Sequence, residues 1–294
     1  MALDLKALDT ERPLLIAGPT ACGKSALAMQ IAAAQGRRII NADALQVFDD
    51  WRVLTARPSP ADEAALPHAL YGHIPGSQSY SVGHWLRDLR ELLSEPAVVV
   101  GGTGLYFSGL TEGLAEIPPT PDAVRKDAMA RLDAEGPASL LAELDAETAA
   151  RIDTRNPMRV QRAWEVLTTT GRGLARWQAE TGPPLLPLRG AQTILMDAPK
   201  DWLTPRIEQR FDSMLTCGAL EEARENASDW SPDRPSAKAI GAAELIAHIR
   251  GDMSLADARE AAIVATRQYA KRQRSWFRAR MADWNTLPAG DVAR

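Results

Sequence analysis

A chain of 294 residues, 45% apolar and 24% charged, can bury one large core or a core interrupted by a sizeable insertion. Its longest apolar runs, such as 97–100, are far too short to cross a bilayer. Residues 1–13 lack the basic-then-apolar order of a secretion signal, so a cytoplasmic protein with no membrane partner is expected. Cys22 and Cys217 are the only cysteines, and His68, His73, His84 and His248 have no metal-ligand spacing. That excludes a disulfide framework and a four-ligand zinc site. The net charge of −4 is unevenly spread: residues 151–176 carry +4 and residues 267–280 carry +6. Two concentrated basic segments on an acidic remainder point to a polyanionic partner.

In chain order, short apolar runs at 13–18, 37–40, 97–101 and 192–196 alternate with helical patterns, which predicts a parallel α/β sheet. The first run ends in Gly18-Pro19-Thr20-Ala21-Cys22-Gly23-Lys24-Ser25, the G-x-x-x-x-G-K-[ST] pattern of a phosphate-binding loop between strand and helix. Its glycines let successive N–H groups turn inward, and the helix dipole adds positive charge. Lys24 supplies an ammonium for outer phosphate oxygens, and the Ser25 hydroxyl can ligate magnesium. The following helix should stop at Gly36. Asp43 comes just after the second strand, where it can cap a turn, act as a base or bind a metal.

A helix is expected from Ser81 to Ser94, and then Gly101-Gly102-Thr103-Gly104 follows the third run. A hydrolytic phosphate-loop enzyme usually ends this strand with an Asp. Here the glycines allow close approach of a ligand, and Thr103 offers a hydroxyl and an N–H. Residues 117–190 read as an inserted all-helical domain, with Thr120 before Pro121 and Asn156 before Pro157 as helix caps. Residues 1–116 and 191–294 would form the α/β body. From 203 to about 281 the pattern is helical. Arg206 and Arg210 share one helix face, suited to a diphosphate or to pairing with Glu208 or Asp212. At 100° per residue, Arg267, Lys271, Arg274 and Arg278 fall within about 60° of one another. Tyr269 and Trp276 lie on the other side. A basic stripe without acids, backed by aromatics, suits a phosphodiester backbone.

Together with Thr55-Ala56-Arg57-Pro58, Ala239-Ile240-Gly241 and the run 269–278, these motifs resemble the bacterial tRNA dimethylallyltransferase family from about 14 to 280. The resemblance implies transfer of a dimethylallyl group from dimethylallyl diphosphate to the exocyclic amine of an adenosine beside the tRNA anticodon, with magnesium as cofactor. Asp43 matches the family's general base. Lys24, Thr103 and Arg210 would stabilise the departing diphosphate, with residues 18–25 and Arg206 around it. Asp43, Ala44, Leu45 and Gln46 match contacts to the target nucleotide. Arg159, Gln161 and Arg162 of the insertion, with Lys271, Arg272, Gln273, Arg274 and Arg278, match tRNA-binding surfaces. A monomer acting on the anticodon stem-loop is expected. Family departures stand at Ala44, Phe48, 50–54 (in place of a glycine-rich run) and Ala242-Ala243. Prenylation of free adenine nucleotides, small-molecule phosphorylation and a non-catalytic tRNA-binding module are the alternatives.

Overall fold

The computed structural model describes residues 8–292. One parallel sheet is built from β1 (Leu14–Ala17), β2 (Ile39–Asn41), β3 (His68–Ala69), β4 (Val98–Gly101), β5 (Gln192–Asp197) and β6 (Thr286–Pro288). Their spatial order is β3-β2-β4-β1-β5-β6. Between the first four strands and just after run α1 (Lys24–Gln35), α2 (Pro60–Ala65), α3 (Val82–Leu92) and α4 (Gly104–Glu112). Five helices follow with no strand among them: α5 (Asp122–Glu135), α6 (Pro137–Leu141), α7 (Ala146–Arg151), α8 (Pro157–Thr170) and α9 (Leu174–Ala179). After β5 come α10 (Lys200–Thr216), α11 (Ala219–Asn226), α12 (Ala242–Arg250) and α13 (Leu255–Arg280).

β1 and the valines of β4 form unbroken buried apolar runs because both faces of the sheet are covered there. Leu14, Ile16, Val98 and Val100 pack with Leu27 and Ile31 of α1 and Ile207 and Phe211 of α10. Leu15, Ala17, Ile40 and Val99 pack on the opposite side with Trp85 of α3 and Phe107 of α4. Leu14 pairs with both Val98 and Gln192, so β1 lies between β4 and β5 and not beside β2. The carboxyl ends of β1, β2 and β4 therefore share one edge, where ligands settle in open α/β sheets.

Both outermost strands escape the sequence pattern. β3 is two residues following Pro67, and β6 ends at Pro288, a residue that sheets tolerate at their edges. Several helix ends agree with expectation. Ser81 caps α3, Asn156 caps α8 ahead of Pro157, and Gly36 and Gly171 close α1 and α8 in left-handed geometry. Thr120 does not cap. α5 starts at Asp122, and the Thr120 hydroxyl accepts a hydrogen bond from Arg162 instead (2.7 Å).

Residues 112–184 form a compact unit of their own around Ala128, Leu140, Val160 and Trp164. The insertion expected at 117–190 thus ends earlier. Leu185, Leu186 and Leu188 pack on the Trp85 and Phe107 face of the sheet, and Leu186 N–H donates to Leu110 C=O (3.1 Å).

A close backbone approach holds β4 against the residue that follows β2. A Cβ on Gly101 would stand 2.0 Å from the Ala42 carbonyl oxygen. Gly101→Ala is expected to cost about 1–3 kcal/mol of unfolding free energy in urea titration. A loss below about 0.5 kcal/mol would show that the strands can part.

Candidate active site

The phosphate-binding loop leaves β1 and turns into α1. Ala21 and Gly23 both take positive φ, 63° and 93°, and Gly23 stands in the cap position of α1. These two turns bend the loop tightly into α1, and the left-handed Ala21 is a strained residue of the kind found at binding sites. Lys24 Nζ donates to Pro19 C=O (3.3 Å). Cys22 turns away from the cavity: its side chain is buried, with Sγ 3.9 Å from Met196 Sδ and against Gly18. Of the loop, Thr20, Ala21, Gly23, Lys24 and Ser25 line a cavity of about 370 Å³. Gly18 and Pro19 lie beneath it, buried.

Asp43 lines the same cavity, with Leu45 and Gln46. Its Oδ1 accepts from Leu45 N–H (3.0 Å), so the carboxylate does cap its own turn, and its other oxygen lies by Gly102. Asn41 fixes the turn from behind, accepting from Asp43 N–H (2.8 Å) and donating to Asp43 C=O (2.9 Å). Thr103 Oγ1 accepts from Ala44 N–H (2.9 Å). Thr103 holds the Asp43 turn in place and is not on the cavity wall. Gln46 reaches the cavity, but its amide nitrogen donates to Thr55 C=O and Ala56 C=O (2.8 and 3.0 Å).

α10 supplies Arg206 and Arg210 to the wall. Arg210 Nη1 donates to Thr20 Oγ1 (2.9 Å). Burial lowers the Arg210 guanidinium below the usual arginine range, opposed by Asp43 and Cys22, and arginine stays cationic through such a shift. The Arg206 guanidinium sits 3.4 Å from the Trp202 ring centroid. The two acids that could have engaged these arginines are taken by α13: Glu208 pairs with Arg267, and Asp212 with Arg259 (2.5 and 2.8 Å). The basic stripe expected on α13 accordingly loses Arg267. Lys271, Arg272 and Arg278 are exposed and Arg274 is partly so. Gln273 is a correction. Expected among the tRNA-binding residues, it is 6% exposed and turns inward to Thr20 and Gly102 instead. In residues 112–184, Arg159 is exposed, and Arg162 bonds Thr120 beside Glu165. Gln161 is also a correction: buried at 6%, it donates to Glu165 Oε1 (2.9 Å).

A family model described as IPP transferase matches residues 46–280, and one described as isopentenyl transferase matches residues 12–66. The chain belongs to the IPP transferase family. A tRNA dimethylallyltransferase of Cereibacter sphaeroides is 60% identical over 286 residues, covering 97% of this chain and 91% of that protein. One of Dinoroseobacter shibae is 59% identical, covering 98% and 99%. The crystal structure of the full-length tRNA isopentenylpyrophosphate transferase from Bacillus halodurans is 27% identical with a TM-score of 0.64, covering 95% and 90%. A eukaryotic dimethylallyltransferase acting on tRNA shares the fold, with a TM-score of 0.80 over 95% of this chain and 74% of that one.

In this IPP transferase family member most of the remaining wall is apolar or neutral: Leu54, Ile207, Phe211, Ile240 and Tyr269 fall in or beside stretches marked in the sequence, whereas Met214 and Thr266 belong to none. Burial and the neighbouring Asp43 push the Tyr269 hydroxyl far above its usual range. Glu222 was equally invisible in the sequence. Its carboxylate accepts three successive main-chain N–H groups, from Arg52, Val53 and Leu54 (2.5, 2.9 and 3.0 Å). That nest of amides holds the segment where the family's glycine-rich run is replaced. Burial also pushes the Cys22 thiol above its usual range although Lys24 opposes it. Since the thiolate is the reactive form, Cys22 should be inert and the exposed Cys217 should react. A native disulfide-exchange titration is expected to count one fast thiol per chain, and a second only on denaturation. Two fast thiols in the native protein would contradict this geometry.

Proposed function

We propose that this chain transfers a dimethylallyl group from dimethylallyl diphosphate to the exocyclic amine of an adenosine beside the anticodon of tRNA, releasing diphosphate. The observation that carries the reading is the cavity wall, which sets Lys24, Arg206 and Arg210 against a single carboxylate, Asp43. A diphosphate leaving group gains negative charge as its bond to the allylic carbon breaks. Cations fixed beforehand, with the N-terminal dipole of α1 beside them, stabilise that charge in the transition state. The Ser25 hydroxyl on the cavity wall suits magnesium carried in on the diphosphate, and among the described residues no cluster of His, Cys, Asp or Glu could hold a metal unaided. Bound there, magnesium would neutralise charge on the diphosphate oxygens.

Asp43 supplies the other half of the reaction. The adenine amine is a weak nucleophile because its lone pair is delocalised into the ring. As the carbon–nitrogen bond forms the nitrogen becomes acidic, and a carboxylate held by Asn41 and Leu45 N–H can take that proton. The base must leave its stack to reach the cavity, at a cost of a few kcal/mol that phosphate contacts offset. Lys271, Arg272, Arg274 and Arg278 on α13 and Arg159 on α8 are the cations proposed to provide them. The chain is proposed to act as a monomer. An exposed free Cys217 fits a reducing cytoplasm, and no described helix is long and apolar enough to cross a membrane.

Incubation with labelled dimethylallyl diphosphate and either tRNA, AMP or a kinase substrate with ATP tests the reading directly. Label is expected in tRNA; label in AMP, or ATP consumption, would replace it. Asp43→Asn should keep fold and tRNA affinity while single-turnover transfer falls at least about a hundredfold. A fall below about fivefold would leave Asp43 with capping alone. Neutralising Lys271 or Arg274 should reduce the slope of log affinity against log salt by up to about one unit per phosphate contact. An unchanged slope would assign α13 an ordinary solvated face.

A further inference from the structure

α13 has two faces with different tasks. Outward it shows Lys271, Arg272 and Arg278 to solvent. Inward, Gln273 spans two loops that lie far apart in sequence. Its Oε1 accepts from Thr20 N–H in the phosphate-binding loop (2.8 Å), and its Nε2 donates to Gly102 C=O in the loop after β4 (2.9 Å). A Cβ on Gly102 would meet Gln273 Nε2 at 2.3 Å and Asp43 Oδ2 at 3.3 Å. Gly102 therefore leaves room for the carboxamide and the carboxylate together. One turn before, Tyr269 lines the cavity beside Gln273. One turn after, the Trp276 ring lies on Gly104, where a Cβ would stand 2.2 Å from it.

We propose that Gln273 is a positioning residue of the donor site, setting the separation of the phosphate-binding loop and the 102–104 loop with Asp43 between them. The inference rests on the prenyl-transfer reading and assigns Gln273 a task there other than touching RNA. Side-chain chemistry makes glutamine specific for it. The span needs one acceptor and one donor on a neutral planar group. Leucine offers neither, and an ionised glutamate offers no donor for Gly102 C=O. It would also set a second negative charge near Asp43, where diphosphate must bind. Gly102 C=O is buried and Thr20 N–H partly so, and removing the carboxamide takes away the partner of each.

Two variants and one ligand test this. Calorimetry of inorganic diphosphate with magnesium, using the full chain, reads the loop without catalysis. Gln273→Leu is expected to weaken diphosphate binding by about tenfold or more while tRNA affinity stays within about twofold. Gln273→Glu separates positioning from mere packing. Protonated, the introduced carboxyl has an O–H for Gly102 C=O and an oxygen for Thr20 N–H; ionised, it lacks the donor. Near Asp43 it should titrate above the usual value of about 4.3. The ratio of variant to wild-type single-turnover rate should therefore be at least about tenfold down at high pH and climb back toward one as pH falls through that titration. A ratio flat with pH, undiminished diphosphate affinity in Gln273→Leu, or lost tRNA affinity with unchanged diphosphate affinity would each overturn the proposal. Wild-type protein that binds diphosphate but moves no label to tRNA would instead overturn the prenyl-transfer reading, and the calorimetric comparison would still decide the role of Gln273.

Discussion

The site depends on one close approach of backbone to backbone. β2 and β4 leave the sheet side by side, with Ala42 N–H donating to Val100 C=O (2.8 Å) and Thr103 N–H to Ala42 C=O (3.2 Å). Gly101 has no side chain to hold them apart. Because the strands exit in contact, Asp43 falls beside Gly102 and Thr103 can hold Ala44 N–H. The phosphate-binding loop joins them through the strand order, which puts β1 directly beyond β4. Three loops distant in sequence thus converge through backbone geometry, before any side chain acts.

Charge in the cavity is kept one-sided by ion pairs outside it. α10 carries acids and bases on neighbouring turns, and in isolation they would pair with each other. Arg259 and Arg267 of α13 take up Asp212 and Glu208 and so leave Arg206 and Arg210 to the cavity. These pairs are partly exposed and add little stability by themselves. Their consequence is electrostatic: three cations face one carboxylate, a balance suited to a polyanion with one proton to be taken nearby.

The segment before Thr55 reaches its place by a different route from that implied by its composition. Glycines are absent from 50–54, yet the chain still turns there, because Glu222 gathers three consecutive amides and Gln46 holds the carbonyls of Thr55 and Ala56. Ala56 adopts φ 52° to complete the turn. Conformation that glycine would supply through freedom is here imposed by hydrogen bonds.

Local chemistry made part of this molecule readable from the chain alone. The phosphate-binding loop, the four central strands and the caps at Ser81 and Asn156 rest on short-range rules of backbone conformation and hydrophobic run length, and these act within a few residues. The edge strands β3 and β6 did not show, because two or three residues next to proline carry no periodicity of their own. The family resemblance put Gln273 and Gln161 among tRNA-binding residues, but a matched motif cannot tell which way a neutral amide turns. That was decided by what lay within reach: Thr20 and Gly102 for one, Glu165 for the other. Asp43 was legible as a residue past a strand end. Its setting among Asn41, Gly102 and Tyr269, like the clamp made by Glu222 some 170 residues away from the loop it holds, required the tertiary structure, since contacts between distant segments leave no mark in either segment.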